Sequence, residues 1–310
     1  MSKFVILADV TCDLSEAIRK QFGIDDYIQG HIHFSDGRDF KTTLNWSNIS
    51  REEFYKALSN KKIEINTAPA SPEEYYLTFK NYAERGYDII SMSISSKISS
   101  TYNVAKSAAT RTSEEFPDCK IYCFDSYKMS GALGLLVMYA HTLRDEGKSF
   151  DEVVEWLENN KHKVHQMGPI DDLMFVARRG RITIGKAIMG NFAGVKPMGD
   201  CTREGYVSVL TKVKGINKAL DLTVRYIERA ATDIKNQYIL ISHSNRSEYA
   251  EKLKSQIEET MQPKQVFVSD VFSGCGTNIG PGMVAVYFIG QEISEGLIEE
   301  KNIITELLNG

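Results

Sequence analysis

PEEYYLTFKNYAERG, residues 72–86, runs directly into YDIISMSI, residues 87–94. The first stretch reads as a helix. Pro72 suits the first turn, Glu73 and Glu74 lie at its positive end, and Gly86 suits the stop after Arg85. The second stretch, Tyr87 to Ile94, reads as a buried strand. Working outward, Ser99 to Glu115 reads as a helix and Ile121 to Phe124 as a strand. Ser130 to Glu146 is a helix stopped by Gly147, and Asp151 to Lys161 is another. Upstream, Phe4 to Ala8 is a short apolar strand ending in Asp9. Thr11 to Ser15 is a capping stretch that opens a helix through Phe22. Strands alternating with helices predict an α/β fold with a parallel sheet and crossovers.

The later chain reads differently. Glycines and basic residues crowd Arg178 to Gly185, Gly190 to Tyr206 is turn-rich, and Val207 to Lys214 is strand-like. Asn217 to Ala231 and Glu248 to Thr260 read as helices. Tyr238 to Ser242, Gln265 to Val271 and Met283 to Ile289 read as strands. Hairpins mixed with α/β units predict a second, mixed-sheet α/β domain. The chain has 310 residues, enough for two domains. The polar stretch Asn159 to Gln166 places the boundary so that residues 1–162 form one domain and 163–310 the other.

The balance of Lys and Arg (37) against Asp and Glu (41) gives a net charge of −4, which offers no basic surface for nucleic acid. Five cysteines are scattered, with no CxxC pair, so neither a disulfide framework nor a zinc ribbon is expected. Cys119 and Cys123 flank a strand-like run and read as buried small residues. The N-terminal stretch from Met1 is wrongly built for a signal peptide, and the apolar run Ala132 to Ala140 is too short to span a bilayer. The expectation is a cytoplasmic protein without metal or cofactor, for which transient contact with a membrane surface stays open.

Two hydroxyl-rich segments stand out: Thr67-Ala-Pro-Ala-Ser-Pro72 and Ser95-Ser-Lys-Ile-Ser-Ser-Thr-Tyr102. Hydroxyls and free N–H groups at helix N-termini make an anion site. Other chemistries are weaker. Asp9 and Asp13 are four apart and read as caps rather than phosphoryl acceptors. His243 lies beside Ser242 and Ser244, but no Gly-x-Ser-x-Gly elbow exists. No dinucleotide or Walker loop is present. Gly274, Gly276, Gly280 and Gly282 are either a tight turn or a rim that approaches a ligand closely. Arg178, Arg179 and Arg181 are either a solvated loop or a docking surface for an acidic partner.

Taken in order, these segments resemble the DegV family of bacterial fatty-acid-binding proteins, the FakB-type lipid carriers. Asp9, Thr11 and Asp13 look like its N-terminal motif, and Thr67 to Pro72 like its Thr-Ser-Gln-Pro-Ser segment. Ser95 to Tyr102 is similar to Ser-Ser-x-Leu-Ser-Gly-Thr-Tyr, with Ser100 in place of the glycine. Asp125-Ser126 resembles its Asp-Ser pair. The block from Asp172-Leu173 through Gly180-Arg181-Ile182, Lys196-Pro197-Met198 and Gly280-Pro281-Gly282 resemble further motifs.

The resemblance implies a two-domain fold and a long-chain fatty acid bound between the domains, with its tail in an apolar tunnel. It implies that Thr67 and Ser99 contact the head group, with Asn278 as the candidate third contact, and that Ser100 and Gly280 also belong to the ligand-binding site. Asn278 stands where the family usually carries a histidine. The resemblance further implies a non-catalytic carrier that presents the carboxyl group to a fatty acid kinase, yielding acyl phosphate for phospholipid synthesis. Arg178, Arg179 and Arg181 would then dock the kinase. The competing reading is a hydrolase or kinase-related enzyme that uses the Ser/Thr cluster.

Overall fold

Along Lys3–Asp9 (β1) the side chains alternate between two cores: Ile6 and Ala8 face one, Leu7 the other. This period of two marks a strand covered on both faces. The computed structural model describes residues 3–182 and 194–310. The glycines Gly185 and Gly190, noted above, therefore lie outside the described residues.

After β1 come α1 (Glu16–Gln21), β2 (Tyr27–Ile28), β3 (His31–Phe34), β4 (Asp39–Lys41), α2 (Arg51–Ser59), β5 (Ile65–Ala68) and α3 (Pro72–Glu84). Then follow β6 (Tyr87–Ser93), α4 (Thr101–Glu115), β7 (Ile121–Asp125), α5 (Gly131–Asp145) and α6 (Phe150–Asn160). The first sheet has the order β2-β1-β6-β7, every pair parallel, as the alternation of helix and strand predicts. On one face Leu7 and Ile89 pack with Tyr75 and Phe79 of α3 and Ala105 of α4. Pro72 stands in the first turn of α3, and Ser71 with Glu74 closes a capping box there.

The second half contains β8 (Val164–Met167), α7 (Leu173–Arg178), β9 (Val195–Cys201), β10 (Val207–Lys214), α8 (Ile216–Ala230), β11 (Tyr238–His243) and α9 (Ser247–Met261). It ends with β12 (Gln265–Asp270), α10 (Ser273–Ile279), β13 (Val284–Ile289) and α11 (Ile298–Asn309). Its sheet is mixed, in the order β12-β11-β13-β8. β12 runs parallel to β11, while β13 is antiparallel to both β11 and β8. β9 and β10 form a separate antiparallel hairpin.

Helix α5 is apolar almost all round, the signature of a helix buried on every side. It packs against β1 and β6 of the first sheet and against β8, β11 and β13 of the second. One core therefore runs from Ile6 and Ala8 through Leu133 and Val137 to Leu240 and Tyr287.

Three features depart from the sequence reading. A small antiparallel sheet, β4-β3-β5, sits with α2 around its own core of Ile32, Phe54 and Ile65. Residues 273–279, in the glycine-rich stretch, form a helix; the turn is confined to residues 280–282. Cys119 and Cys123 are half-buried rather than buried, while Cys12, Cys201 and Cys275 are buried, and all five are free.

Asp13 joins the two halves. Its side chain is fully buried and accepts hydrogen bonds from Ser130 Oγ (2.6 Å) at the start of α5 and from the Phe272 N–H (2.9 Å) just before α10. Ser269 Oγ donates to the Asp13 carbonyl (2.6 Å). Burial outweighs these bonds and pushes the Asp13 carboxyl up to about 8. A carboxyl raised in the folded state favours folding most below its unfolded value of about 4, and that contribution is lost as pH rises through about 8. Asp13→Asn should therefore flatten the pH dependence. Thermal melts between pH 5 and pH 8 should fall less steeply for the variant than for the parent, and parallel curves would remove Asp13 from this role.

Candidate functional site

Where the second hydroxyl segment enters α4, Ser99 Oγ and Thr101 Oγ1 lie 2.8 Å apart, and the Thr101 N–H donates to Ser99 Oγ at 3.3 Å. Ser100 is the N-cap of this helix but makes no side-chain cap bond. Beyond Thr101, the first turn thus keeps N–H groups that no capping side chain satisfies, aligned with the positive end of the helix dipole. The first segment behaves differently. Thr67 lies on β5, opposite Ile32 of β3, and not at a helix N-terminus. The helix that follows it, α3, is closed by its own capping box, since Ser71 Oγ accepts from the Glu74 N–H and Glu74 Oε2 accepts from the Ser71 N–H. Only the second segment offers a helix end to an anion.

Thr67 reaches the site by another route. Asn278 Nδ2 on α10 donates to Thr67 Oγ1 at 3.2 Å, linking residues 211 positions apart. With its acceptor side taken, the Thr67 hydroxyl can donate its own hydrogen outward. Thr67, Ser99, Ser100 and Asn278 all line one cavity of about 170 Å³. Arg181 lines it too.

Gly280 is not among the lining residues. It ends α10 at a φ of +77°, where a Cβ would come within 2.7 Å of the Phe175 ring. Gly282, at a φ of +100°, lets the Asp171 side chain approach its backbone. That carboxylate is held by Lys196 Nζ (2.5 Å) and by Arg246 (Nη2, 2.5 Å), which gives the Lys-Pro-Met and Gly-Pro-Gly motifs a shared scaffold role. Of the clustered glycines, Gly274 lines the cavity, while Gly276 accommodates the Phe54 ring.

The three arginines diverge. Arg178 is exposed and faces Asp172 at 3.5 Å. Arg179 lies over the Phe175 ring, 5.4 Å from its centroid, and Nη1 donates to Asn66 Oδ1 at 3.4 Å. Arg181 turns inward and donates to the Arg179 carbonyl at 2.9 Å. Asp9 is in the cavity wall, yet both of its oxygens are engaged. One accepts from the Thr11 N–H (2.8 Å) and the Thr11 hydroxyl, the other from the Ile94 N–H (2.8 Å). Burial raises the Asp9 carboxyl, more than those bonds lower it. Asp9 is a cap, as its sequence context suggests. Asp125 Oδ1 likewise accepts from the Ser96 and Tyr127 N–H groups, tying the turn before α4 to the turn before α5.

The serine–histidine alternative finds no assembled pair. His243 is buried with Nε2 3.5 Å from Asp270 Oδ1, Ser244 Oγ accepts from the Met283 N–H (2.7 Å), and Ser242 Oγ has no partner. Among the described residues no cluster of three or more His, Cys, Asp or Glu could hold a metal ion, and no helix is long and apolar enough to cross a membrane.

The sequence reading missed several wall residues. Thr42, whose Oγ1 accepts from the Gly30 N–H at 2.9 Å, and Met129 carry no motif. It also missed the second chamber. This apolar cavity of about 60 Å³ shares Met129, Val176, Val207 and Ile279 with the first and continues between α7, the β9–β10 hairpin and β8. A chamber that carries hydroxyl, amide and guanidinium groups in an otherwise apolar wall thus adjoins a smaller, more apolar one.

Comparison with known proteins places the fold in a known family. The family model described as "Uncharacterised protein, DegV family" matches residues 3–291. A DegV domain-containing protein of Clostridium perfringens is 31% identical over 290 residues, covering 94% of this chain and 98% of its own. A structure from Thermus thermophilus, described as fatty acid binding of a DegV family protein, matches with a TM-score of 0.82 at 23% identity, over 94% of this chain and 100% of its own. The fatty acid kinase B3 protein of Streptococcus pneumoniae, loaded with linoleic acid, matches with a TM-score of 0.79 at 19% identity, over 93% of this chain and 100% of its own.

Proposed function

Because this chain belongs to the DegV family, we propose that it binds one long-chain fatty acid and presents the carboxylate to a partner kinase. The observation that carries this reading is the adjoining pair of chambers, one with hydroxyls, an amide and a guanidinium set among apolar side chains, the other almost wholly apolar. An amphiphile with one anionic end and a long apolar tail matches that division. The fatty-acid-bound relatives of the same fold support it. On this reading the ligand lies between units formed by residues 1–162 and 163–310.

Thr67, Ser99 and Asn278 supply neutral donors, the free N–H groups of α4 add their dipole, and Arg181 adds a fixed positive charge. A buried carboxylate needs several such partners to stay ionised. The tail dominates affinity, since each buried methylene contributes roughly 0.8 kcal/mol before association costs. The head-group residues therefore govern orientation more than raw affinity. The carrier performs no chemistry itself; the kinase would transfer the phosphoryl group to the presented carboxylate oxygen.

Organic extraction of the purified protein, followed by mass spectrometry, should release fatty acid in near-stoichiometric amount. Persistent failure to extract or reload any acyl chain would overturn the proposal. Thr67→Ala combined with Ser99→Ala should weaken binding by roughly 2–4 kcal/mol, because two charge-assisted hydrogen bonds are lost. Unchanged calorimetric affinity would take both residues out of the site. Arg178→Glu with Arg179→Glu should slow acyl phosphate formation by the partner kinase at low salt, with lipid affinity held. Equal rates would leave these two arginines as solvated surface.

A further inference from the structure

The apolar chamber has one feature that an unsubstituted acyl chain does not explain. Of the described side chains that line it, only Gln166 and Ser208 are polar. Gln166 is 7% exposed, and its Oε1 has no hydrogen-bond partner. Strand geometry puts it there. On β8, His165 and Met167 face the core beneath α8, while Val164 and Gln166 face the opposite side. Its backbone is pinned, since the Gln166 N–H donates to Asp200 Oδ1 at 3.0 Å and Gln166 pairs with Tyr287 of β13.

A buried amide carbonyl sealed against methylenes stays unpaired and destabilises the complex. A hydroxyl on the acyl chain suffers the same penalty in an otherwise apolar tunnel. Placed together, the two satisfy each other, because a hydroxyl donates and the Gln166 carbonyl accepts. We propose that Gln166 is a specificity-determining residue and that the ligand it selects is a fatty acid bearing a hydroxyl on its chain. Gln166 belongs to the chamber beyond Met129, Val176, Val207 and Ile279, the residues shared with the head-group cavity. The hydroxyl therefore belongs at mid-chain or beyond, away from the carboxylate. This inference rests on the fatty-acid reading above and narrows its substrate class.

The test is competition binding of octadecanoic acid and its monohydroxy positional isomers to the parent protein, to Gln166→Leu and to Gln166→Met. The parent should prefer one isomer, or two adjacent ones, by about ten-fold over the unsubstituted acid, the size of one restored hydrogen bond. Both variants should lose that preference and bind the unsubstituted acid more tightly than the parent does. The isomer profile of the parent stands without any variant, so poor folding of one does not block the test. If the parent binds octadecanoic acid but prefers no isomer, or if the preference survives in both variants, the role of Gln166 is overturned and the carrier reading stands. If the parent binds none of these acids, both fall.

Discussion

The Asp13 carboxylate, sealed from water between the two halves, is the constraint from which the rest of the site hangs. One oxygen takes the hydroxyl of Ser130, where α5 begins, and the other takes the Phe272 N–H, where α10 begins. α5 is the helix on which both sheets pack, and α10 carries Asn278. These donors fix the geometry of the buried acid, while burial still wins and raises the carboxyl to about 8, so the group is mostly protonated at neutral pH and its favourable contribution fades as pH rises. Asp9 performs the matching task within the first half. It holds the turn at Thr11 and the Ile94 N–H that leads to Ser99. Two carboxylates whose sequence context reads as capping are thus tethers, Asp9 within the first half and Asp13 between the halves.

Much of the fold was legible because helix ends and strand periods are local signals. The Pro72 start, the acidic first turn of Glu73 and Glu74 and the stop at Gly86 are written within fifteen residues. The small sheet β4-β3-β5 was not legible. Its strands are three or four residues long and too short for a period to emerge. The helix α10 was hidden for the opposite reason. Gly274 and Gly276 argue against a helix by propensity, and tertiary packing overrides them: Gly276 leaves room for the Phe54 ring and Gly274 faces Val10.

The candidate site divides along the same line. Ser99 and Ser100 were readable because a helix N-terminus is a local feature. Thr67 was readable as a residue, but its mode of action was not. It meets the cavity through Asn278, and a contact between residues 211 apart leaves no trace in either neighbourhood. Arg181 and Arg179 show the limit of reading charge clusters. Two positions apart, one turns into the cavity while the other stacks on Phe175. Gly280 resembles a ligand contact by motif, yet it serves the backbone geometry that ends α10.

The electrostatics of the cavity follow from these placements. A wall that holds Asp9 would repel a carboxylate ligand if that side chain were free and charged. Both of its oxygens are already committed to N–H and O–H donors, and burial favours its neutral form. Among the described residues, the wall then offers neutral hydroxyl and amide donors, the Arg181 guanidinium and His31, whose Nε2 lies 2.9 Å from Glu74 Oε2. Asparagine at position 278 fits that pattern, since an amide donates without titrating near neutral pH, as an imidazole would. On the proposed reading, the head group is recognised by neutral donors and the fixed charge of Arg181. Discrimination between ligands then falls to the tail chamber, where methylenes dominate the energy and a single unpaired amide can decide which chain fits.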